Sequence, residues 1–373
     1  MSDTLGLYNL VRPLGRAATA DVYLAREDGA AMTSGWRAIK RMRTDLSGDP
    51  SFVTMLVDEV RTAMRLDHPN IARYYELGKH ERDWFITMEY VPGCSLAALI
   101  DRAQACGVRI GEEVALFVAV QILEGLAYAH SRPDPARHGH GQELVHRDIS
   151  PHNILLGFGG AVKIAAFGLA KAASQSARTR GRYFAGKYGY LAPEQLRGLD
   201  VDGRADVFAT GVLLYELLTL NRLFEGHSDL SIADKVRNAQ IYPLRAPSGD
   251  IDPALATILR RASKCVPAER YPSAAAMRNA LRTLAYERYG GLGPEGFVTL
   301  LGRLFAREIT DERRTLARAT HPTALEPTQS VFEGVTEVDD PREPLRALRV
   351  LCAACSVAAV VLGGWWMGAI AWQ

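Results

Sequence analysis

The residues whose types could carry chemistry lie together in one stretch, residues 144–194. It reads LVHRDISPHNILL, then VKIAAFGLAK, then GKYGYLAPE. Asp148 is a carboxylate that could take up a proton, and the amide of Asn153 follows five residues later. Carboxylate and amide oxygens are also the hard ligands that magnesium prefers. The stretch therefore holds a candidate proton acceptor together with candidate metal ligands.

The order and spacing of these residues resemble the protein-kinase family, and the resemblance implies that the stretch holds, in order, a catalytic loop, a metal-binding turn and an activation segment. His146-Arg147-Asp148 matches the family's HRD triplet, and Asn153 stands at its second metal ligand. Ala192-Pro193-Glu194 matches the APE triplet at the end of the activation segment. Where the family has Asp-Phe-Gly, this chain has Ala166-Phe167-Gly168. One carboxylate that the resemblance implies is therefore missing.

The elements before this stretch fit the same resemblance. Residues 7–25 predict two strands with a tight turn, in which Gly15 is followed by Ala17 and Ala20 where the family's phosphate loop has glycines. A Cβ there obstructs close approach of the backbone to a phosphate. The resemblance implies that Lys40 contacts phosphates and that Glu59, on a helix at 51–66, pairs with it.

An apolar strand at 84–93 runs into a Pro-Gly turn and matches the hinge that binds adenine. By resemblance Met88 is the gatekeeper, and the backbone from Glu89 to Val91 faces the base. The expected nucleotide-binding positions also include Leu14, Gly15, Val22, Ala38, Lys40 and Leu155. ATP is therefore the expected ligand.

Helical patterns at about 95–106 and 112–131 begin the second part of the domain. Asp206 matches the aspartate that braces the catalytic loop, and Arg270 matches the arginine that pairs with Glu194. These roles are structural, as are those of His146, Arg147, Phe167 and Gly168. Resemblance covers residues 7–286 and implies an α+β, bilobal protein-kinase fold, with an antiparallel β-sheet in the N-lobe and a mainly helical C-lobe.

Whether phosphoryl transfer survives is the open question of the sequence. Catalytic roles are implied for Asp148, Lys40, Glu59 and Asn153, but a methyl group at Ala166 replaces the carboxylate that would bridge magnesium to the phosphates. Magnesium binding is therefore expected to be weak or absent. Ser150 also takes the place of the lysine that contacts the γ-phosphate. We favour a pseudokinase; the alternative is an active, slow Ser/Thr protein kinase.

Composition restricts the remaining function classes. The chain has 373 residues and a formal net charge of +2, which does not favour nucleic-acid binding.

The expected segments are an N-lobe at 1–91, a C-lobe at 92–286, a helical extension at 287–309, a linker at 310–344 and a tail at 345–373. Protein partners or a protein substrate are expected.

The tail predicts a membrane anchor. Residues 350–372 carry no charge and, as a helix, could cross a hydrocarbon core of ~30 Å. Arginines at 342, 346 and 349 precede this run, which favours a single-pass transmembrane helix in the inner membrane with the kinase domain in the cytoplasm. Gly364 and Gly368 form a GxxxG pattern, from which a homodimer is a further hypothesis.

Overall fold

The structure is a computed structural model, and it describes residues 4–16, 19–29, 35–48, 50–134, 143–167, 186–238, 245–246, 249–318 and 329–330. A first compact unit spans Met1–Gln329. The tail at 345–373, with the predicted membrane helix and the GxxxG pattern, lies outside the described residues.

The first part of the unit is an antiparallel sheet with strand order β1-β2-β3-β4-β6-β5. Its strands are β1 Thr4–Leu5, β2 Tyr8–Arg16, β3 Ala20–Glu27, β4 Trp36–Met42, β5 Tyr74–His80 and β6 Asp83–Glu89. Alternating side chains point to one face, so Leu5, Tyr8, Ala25, Ile39 and Phe85 form a buried cluster. The predicted hairpin at 7–25 is β2 with β3.

Two helices, α1 Thr44–Ser47 and α2 Pro50–Ala63, follow β4. Phe52, Leu56 and Val60 recur at four-residue spacing and are buried, which is why this segment forms an amphipathic helix against the sheet. The helix ends at Ala63, three residues before the predicted end at 66.

A small three-stranded sheet begins just after the hinge. Its strands are β7 Gly93–Ser95, β8 Ile154–Gly157 and β9 Val162–Ile164. The 3-10 turn Pro151–Asn153 leads directly into β8. The catalytic-loop residues 146–153 and the Ala166 turn are therefore attached to the two ends of a β8–β9 hairpin, which fixes how far apart they lie.

Helices dominate the second part of the unit. They are α3 Leu96–Ala105, α4 Glu112–His130, α5 Pro193–Leu196, α6 Arg204–Thr219, α7 Asp229–Arg237, α8 Pro253–Ala262 and α9 Ala274–Tyr289. A short pair, β10 Arg245–Ala246 with β11 Gly249–Asp250, precedes α8. Within the described residues, α4 alone is long and apolar enough to cross a membrane, and 67% of its apolar window is buried inside the domain. It is the central core helix, close to the predicted bounds.

Two more helices, α10 Glu295–Leu304 and α11 Ala306–Arg318, follow, and β12 Gln329–Ser330 is the last regular segment described. Phe297 of α10 packs on Phe117 of α4 with ring centroids 5.6 Å apart. A single helix was expected at 287–309, followed by a linker from 310. Instead α11 continues past this boundary, because Glu312 is buried in contacts with Arg12 and Tyr90.

Candidate active site

The catalytic loop is held from beneath by Asp206 of α6. The backbone N–H groups of His146 and Arg147 donate to its two carboxylate oxygens at 2.8 and 2.9 Å, and Nε2 of His130 lies 2.8 Å from Oδ2. Burial raises the pKa of Asp206, but the hydrogen bonds and electrostatic interactions with His130 and His146 together outweigh it, so the pKa lies below its usual value. Arg147 has a φ of +66°, a conformation that these bonds stabilise.

His146 connects the catalytic loop to the Ala166 turn. Its Nε2 lies 2.9 Å from the backbone oxygen of Ala165, and its ring packs edge-on against Phe167 with centroids 4.5 Å apart. Burial lowers the pKa of His146, which favours the neutral ring. With Nε2 donating to Ala165, Nδ1 accepts the N–H of Asp148 at 3.2 Å. Phe167 is buried, and these contacts join the Ala166 turn to the catalytic loop.

Asp148, the predicted proton acceptor, is buried at 3% exposure and makes two close contacts through Oδ2. Nδ2 of Asn153 donates to this oxygen at 2.7 Å, and Nζ of Lys187 forms an ion pair with it at 2.8 Å. Nδ2 of Asn153 also donates to the Asp148 backbone oxygen at 2.7 Å. Because the amide nitrogen faces Asp148, Oδ1 is the Asn153 atom left to bind a metal.

Ala166 occupies an unusual backbone conformation. Its φ is +64°, in the left-handed region that L side chains rarely adopt, and its N–H donates to the hydroxyl of Tyr74 at 3.0 Å. Asp and Asn tolerate this region better than Ala because their short polar side chains bond locally. The backbone conformation at position 166 is therefore one that Asp or Asn would adopt more easily than the alanine present here.

Several of the expected nucleotide-binding positions share one face of the sheet. Val22 pairs with Lys40, and Ala38 pairs with Met88 on the next strand. Directly opposed residues point to the same face, and residues two apart in β4 do so as well. Lys40, Ala38 and Met88 are all buried. The sheet register thus places buried Lys40 on the same face as the buried apolar side chains of Ala38 and Met88.

Other expected nucleotide positions are Leu14, Gly15, Leu155 and Val91. Gly15 pairs with Val22, and a Cβ added at Gly15 would meet no atom within 4 Å. Leu14 is 37% exposed at the edge, and Leu155 in β8 is half-buried. Val91 is likewise half-buried in the segment after β6.

Glu89 at the hinge is more constrained than the sequence indicated. Its N–H donates to the oxygen of Arg73 at 2.7 Å, and its carboxylate binds Lys163 at 3.0 Å and the Arg73 N–H at 3.1 Å. These contacts fix the strand end from which the hinge begins.

The predicted ion pair at the end of the activation segment is formed. Arg270 donates to both oxygens of Glu194 at 2.7 Å, and both residues are buried. Gln195 beside it donates to the backbone oxygen of Arg147 at 2.9 Å. The catalytic loop and the start of α5 are therefore one connected structure.

Three predicted features cannot be placed. Ala17 and Gly168 lie outside the described residues, and so does the side chain of Glu59, although its backbone belongs to α2. The pairing of Lys40 with Glu59 therefore stays a prediction.

Sequence reasoning missed Lys187 and Glu312. Because position 150 holds serine, a search for another cation near Asp148 could have found Lys187. Glu312 lies in a charge-rich segment whose pattern indicated only a linker, so no signal there predicted a buried contact with the hinge.

Comparison with known proteins gives a consistent result. Residues 8–281 match the protein kinase domain family. The chain is 39% identical to the tyrosine-protein kinase MasK of Myxococcus xanthus over 84% of its own length and 49% of that protein. It is 33% identical to the serine/threonine-protein kinase PrkC of Bacillus subtilis over 74% of its length and 40% of that protein. The chain thus matches about half or less of these relatives' lengths.

Solved structures agree with the described fold. A crystal structure of the Mycobacterium tuberculosis PknI kinase domain superposes with a TM-score of 0.55 and 28% sequence identity. The match covers 76% of this chain and 98% of that one.

Proposed function

The chain belongs to the protein kinase family, related to the bacterial Ser/Thr kinases, and we propose from this premise that it is a pseudokinase: a signalling protein that binds ATP but transfers its phosphate poorly or not at all. The observation that carries the proposal is Ala166. The turn around it is fully formed, with Phe167 packed on His146 and the Ala166 N–H bonded to Tyr74. Only the side chain is unsuited to this role, because the methyl group of Ala166 offers no oxygen ligand to a metal.

The donors at this position do not fit magnesium well. Asn153 offers one neutral oxygen, and the nearby carboxylate of Asp148 is already bonded by Lys187 and Asn153. Magnesium prefers several hard oxygen ligands in near-octahedral geometry. These facts support weak or absent metal binding, and loss of such electrostatic stabilisation costs on the order of a hundredfold or more in rate.

One observation favours the alternative, an active but slow protein kinase. Asp148 keeps the position of a proton acceptor, and the buried pair Arg270–Glu194 and the Asp206 brace keep the loop in place. A pure scaffold has no chemical need for Asp148. The relatives are named as a tyrosine-protein kinase and a serine/threonine-protein kinase, so the acceptor hydroxyl class is part of the question.

The deciding experiment measures phosphate transfer from labelled ATP by the full chain, with magnesium or manganese and with phosphoamino-acid analysis of any product. Asp148→Asn is the blank and Ala166→Asp the restored variant. No transfer by the natural chain, with clear transfer by Ala166→Asp, is the expected result. Transfer by the natural chain above the blank overturns the pseudokinase proposal in favour of the slow kinase.

The membrane anchor and the homodimer also remain proposals. They rest on the 23 uncharged residues at 350–372 and on the GxxxG pattern. The expected result is that the full chain stays in the inner-membrane fraction after a carbonate wash, and that Gly364→Leu weakens self-association of the tail. Release of the full chain by the wash contradicts the anchor.

A further inference from the structure

Lys187 is placed at the catalytic carboxylate by a short, well-fixed turn. Gly186 has a φ of +75°, which reverses the chain without the steric cost that other residues meet. The next residues form the 3-10 turn Tyr188–Tyr190, in which the Tyr190 N–H donates to the Lys187 oxygen at 2.9 Å. The hydroxyl of buried Tyr190 in turn bonds to Glu216 of α6. The backbone of Lys187 is thus anchored to the helical core.

The side chain of Lys187 points into the catalytic loop. Its Nζ lies 2.8 Å from Oδ2 of Asp148, and the two side chains are only 16% and 1% exposed. A buried carboxylate without a cation is costly, so this pair is a strong local constraint. The ammonium group also has three N–H donors, which allows it to bind a carboxylate and a phosphate oxygen at the same time.

Ser150 supplies no charge to this region. It is fully buried, and its Oγ has no hydrogen-bond partner among the described residues. The resemblance assigns to position 150 a lysine that contacts the γ-phosphate. Position 150 therefore carries no cation, whereas the structure places one at position 187, beside Asp148.

We infer that Lys187 contacts the γ-phosphate of bound ATP, from the end of the activation segment rather than from the catalytic loop. This inference rests on the proposed function, because it requires that the chain binds ATP. Without Lys187, the buried carboxylate of Asp148 would repel a triphosphate, and repulsion grows with each phosphate that approaches it. Lys187 therefore matters for ATP far more than for ADP, which lacks the γ-phosphate.

The test compares ATP and ADP binding to the full chain by calorimetry, in buffer that contains EDTA so that no divalent cation contributes. Removing a charged hydrogen bond to phosphate is expected to cost about tenfold or more in affinity. Lys187→Gln should weaken ATP binding by at least about tenfold and change ADP binding by less than about twofold. Lys187→Arg keeps the charge and should retain most of the preference for ATP.

Two controls separate this role from a general loss of fold. Lys264→Gln removes an exposed lysine whose partner is Glu269, with side chains 53% and 54% exposed, and should change neither affinity. The double variant Ser150→Lys, Lys187→Ser returns the cation to the catalytic loop and should regain at least part of the ATP preference.

The outcomes distinguish this inference from the proposed function. If the natural chain binds ADP and ATP and Lys187→Gln weakens both equally, or neither, the role of Lys187 is wrong while nucleotide binding stands. If the natural chain binds neither nucleotide, both the proposed nucleotide binding and the role of Lys187 are wrong.

Discussion

Tyr74 accepts a hydrogen bond from the backbone N–H of Ala166 at 3.0 Å, and this bond joins β5 to the turn in which alanine stands where the kinase resemblance implies an aspartate. It holds Ala166 at a φ of +64°, which a Cβ makes unfavourable by about 1–2 kcal/mol. The bond to Tyr74 therefore keeps the backbone of Ala166 in a strained conformation, and this strain can be measured through its effect on stability.

For stability, we expect Ala166→Gly to raise the free energy of unfolding by about 0.5–1 kcal/mol, because glycine adopts positive φ without steric cost. Denaturant unfolding measures this change. The matched control is Ala254→Gly, at an exposed position in the first turn of helix α8, which should destabilise by up to about 1 kcal/mol. Equal destabilisation by both substitutions contradicts the assigned strain.

The ion pair between Arg270 and Glu194 provides a second stability test. Arg270→Met leaves the Glu194 carboxylate buried without its cation, so we expect a loss of about 3–5 kcal/mol in unfolding free energy. Arg314→Met, in an exposed pair with Asp311, should cost less than about 1 kcal/mol. Similar losses from both would show that burial does not set the energy of the inner pair.

Much of this site was predictable because its residues act through local spacing. His146, Asp148 and Asn153 lie within one short loop, and the pairing of Arg270 with Glu194 was assigned from motif positions alone. The ion pair of Lys187 with Asp148 was not predicted, since it depends on how a turn folds back over 39 residues of chain. Likewise, alanine in the sequence does not predict a left-handed conformation. At Ala166 this conformation is stabilised by the hydrogen bond to Tyr74 and by the packing of Phe167.

Acid should destabilise the domain through His146. Its pKa is lowered by burial from an ordinary value of 6.5, so below that pH the unfolded chain binds a proton that the folded chain does not. Stability is therefore retained above about pH 6.5 and lost as the pH falls toward the lowered value, by up to about 1.4 kcal/mol per pH unit. Unfolding free energies between pH 5 and 7.5 measure this slope.

His146→Asn gives the control for this pH dependence. The variant should be less stable overall, since the contacts with Ala165 and Phe167 are lost. Its stability should nevertheless fall less steeply between pH 6.5 and 5. An unchanged slope would assign the acid sensitivity to other groups.

Helix α11 is expected to contribute to stability through Glu312. This carboxylate accepts hydrogen bonds from Arg12 of β2 and Tyr90 at the hinge, and it is 7% exposed. Glu312→Ala should lower the unfolding free energy by about 1–3 kcal/mol, because half-buried Tyr90 and the 39%-exposed Arg12 both lose their hydrogen bond to a charged, buried acceptor. It should also speed hydrogen exchange in α11.

The control for this helix is Glu308→Ala, which removes a pair with Arg102 whose side chains are 40% and 42% exposed. A cost below about 1 kcal/mol is expected there. If Glu312→Ala has no larger effect than Glu308→Ala, then α11 is not held by its contact with the hinge. The charge-rich sequence of this segment indicated a linker, because a single buried carboxylate leaves no periodic pattern.

The most direct measurement of the central claim is the magnesium dependence of ATP affinity, compared between the natural chain and Ala166→Asp. If the methyl group at 166 is what removes metal binding, ATP affinity of the natural chain should be nearly independent of magnesium. Ala166→Asp should bind ATP at least about tenfold more tightly with magnesium than without it. A strong magnesium dependence in the natural chain would contradict the account, because the metal would then be held without a carboxylate at this position.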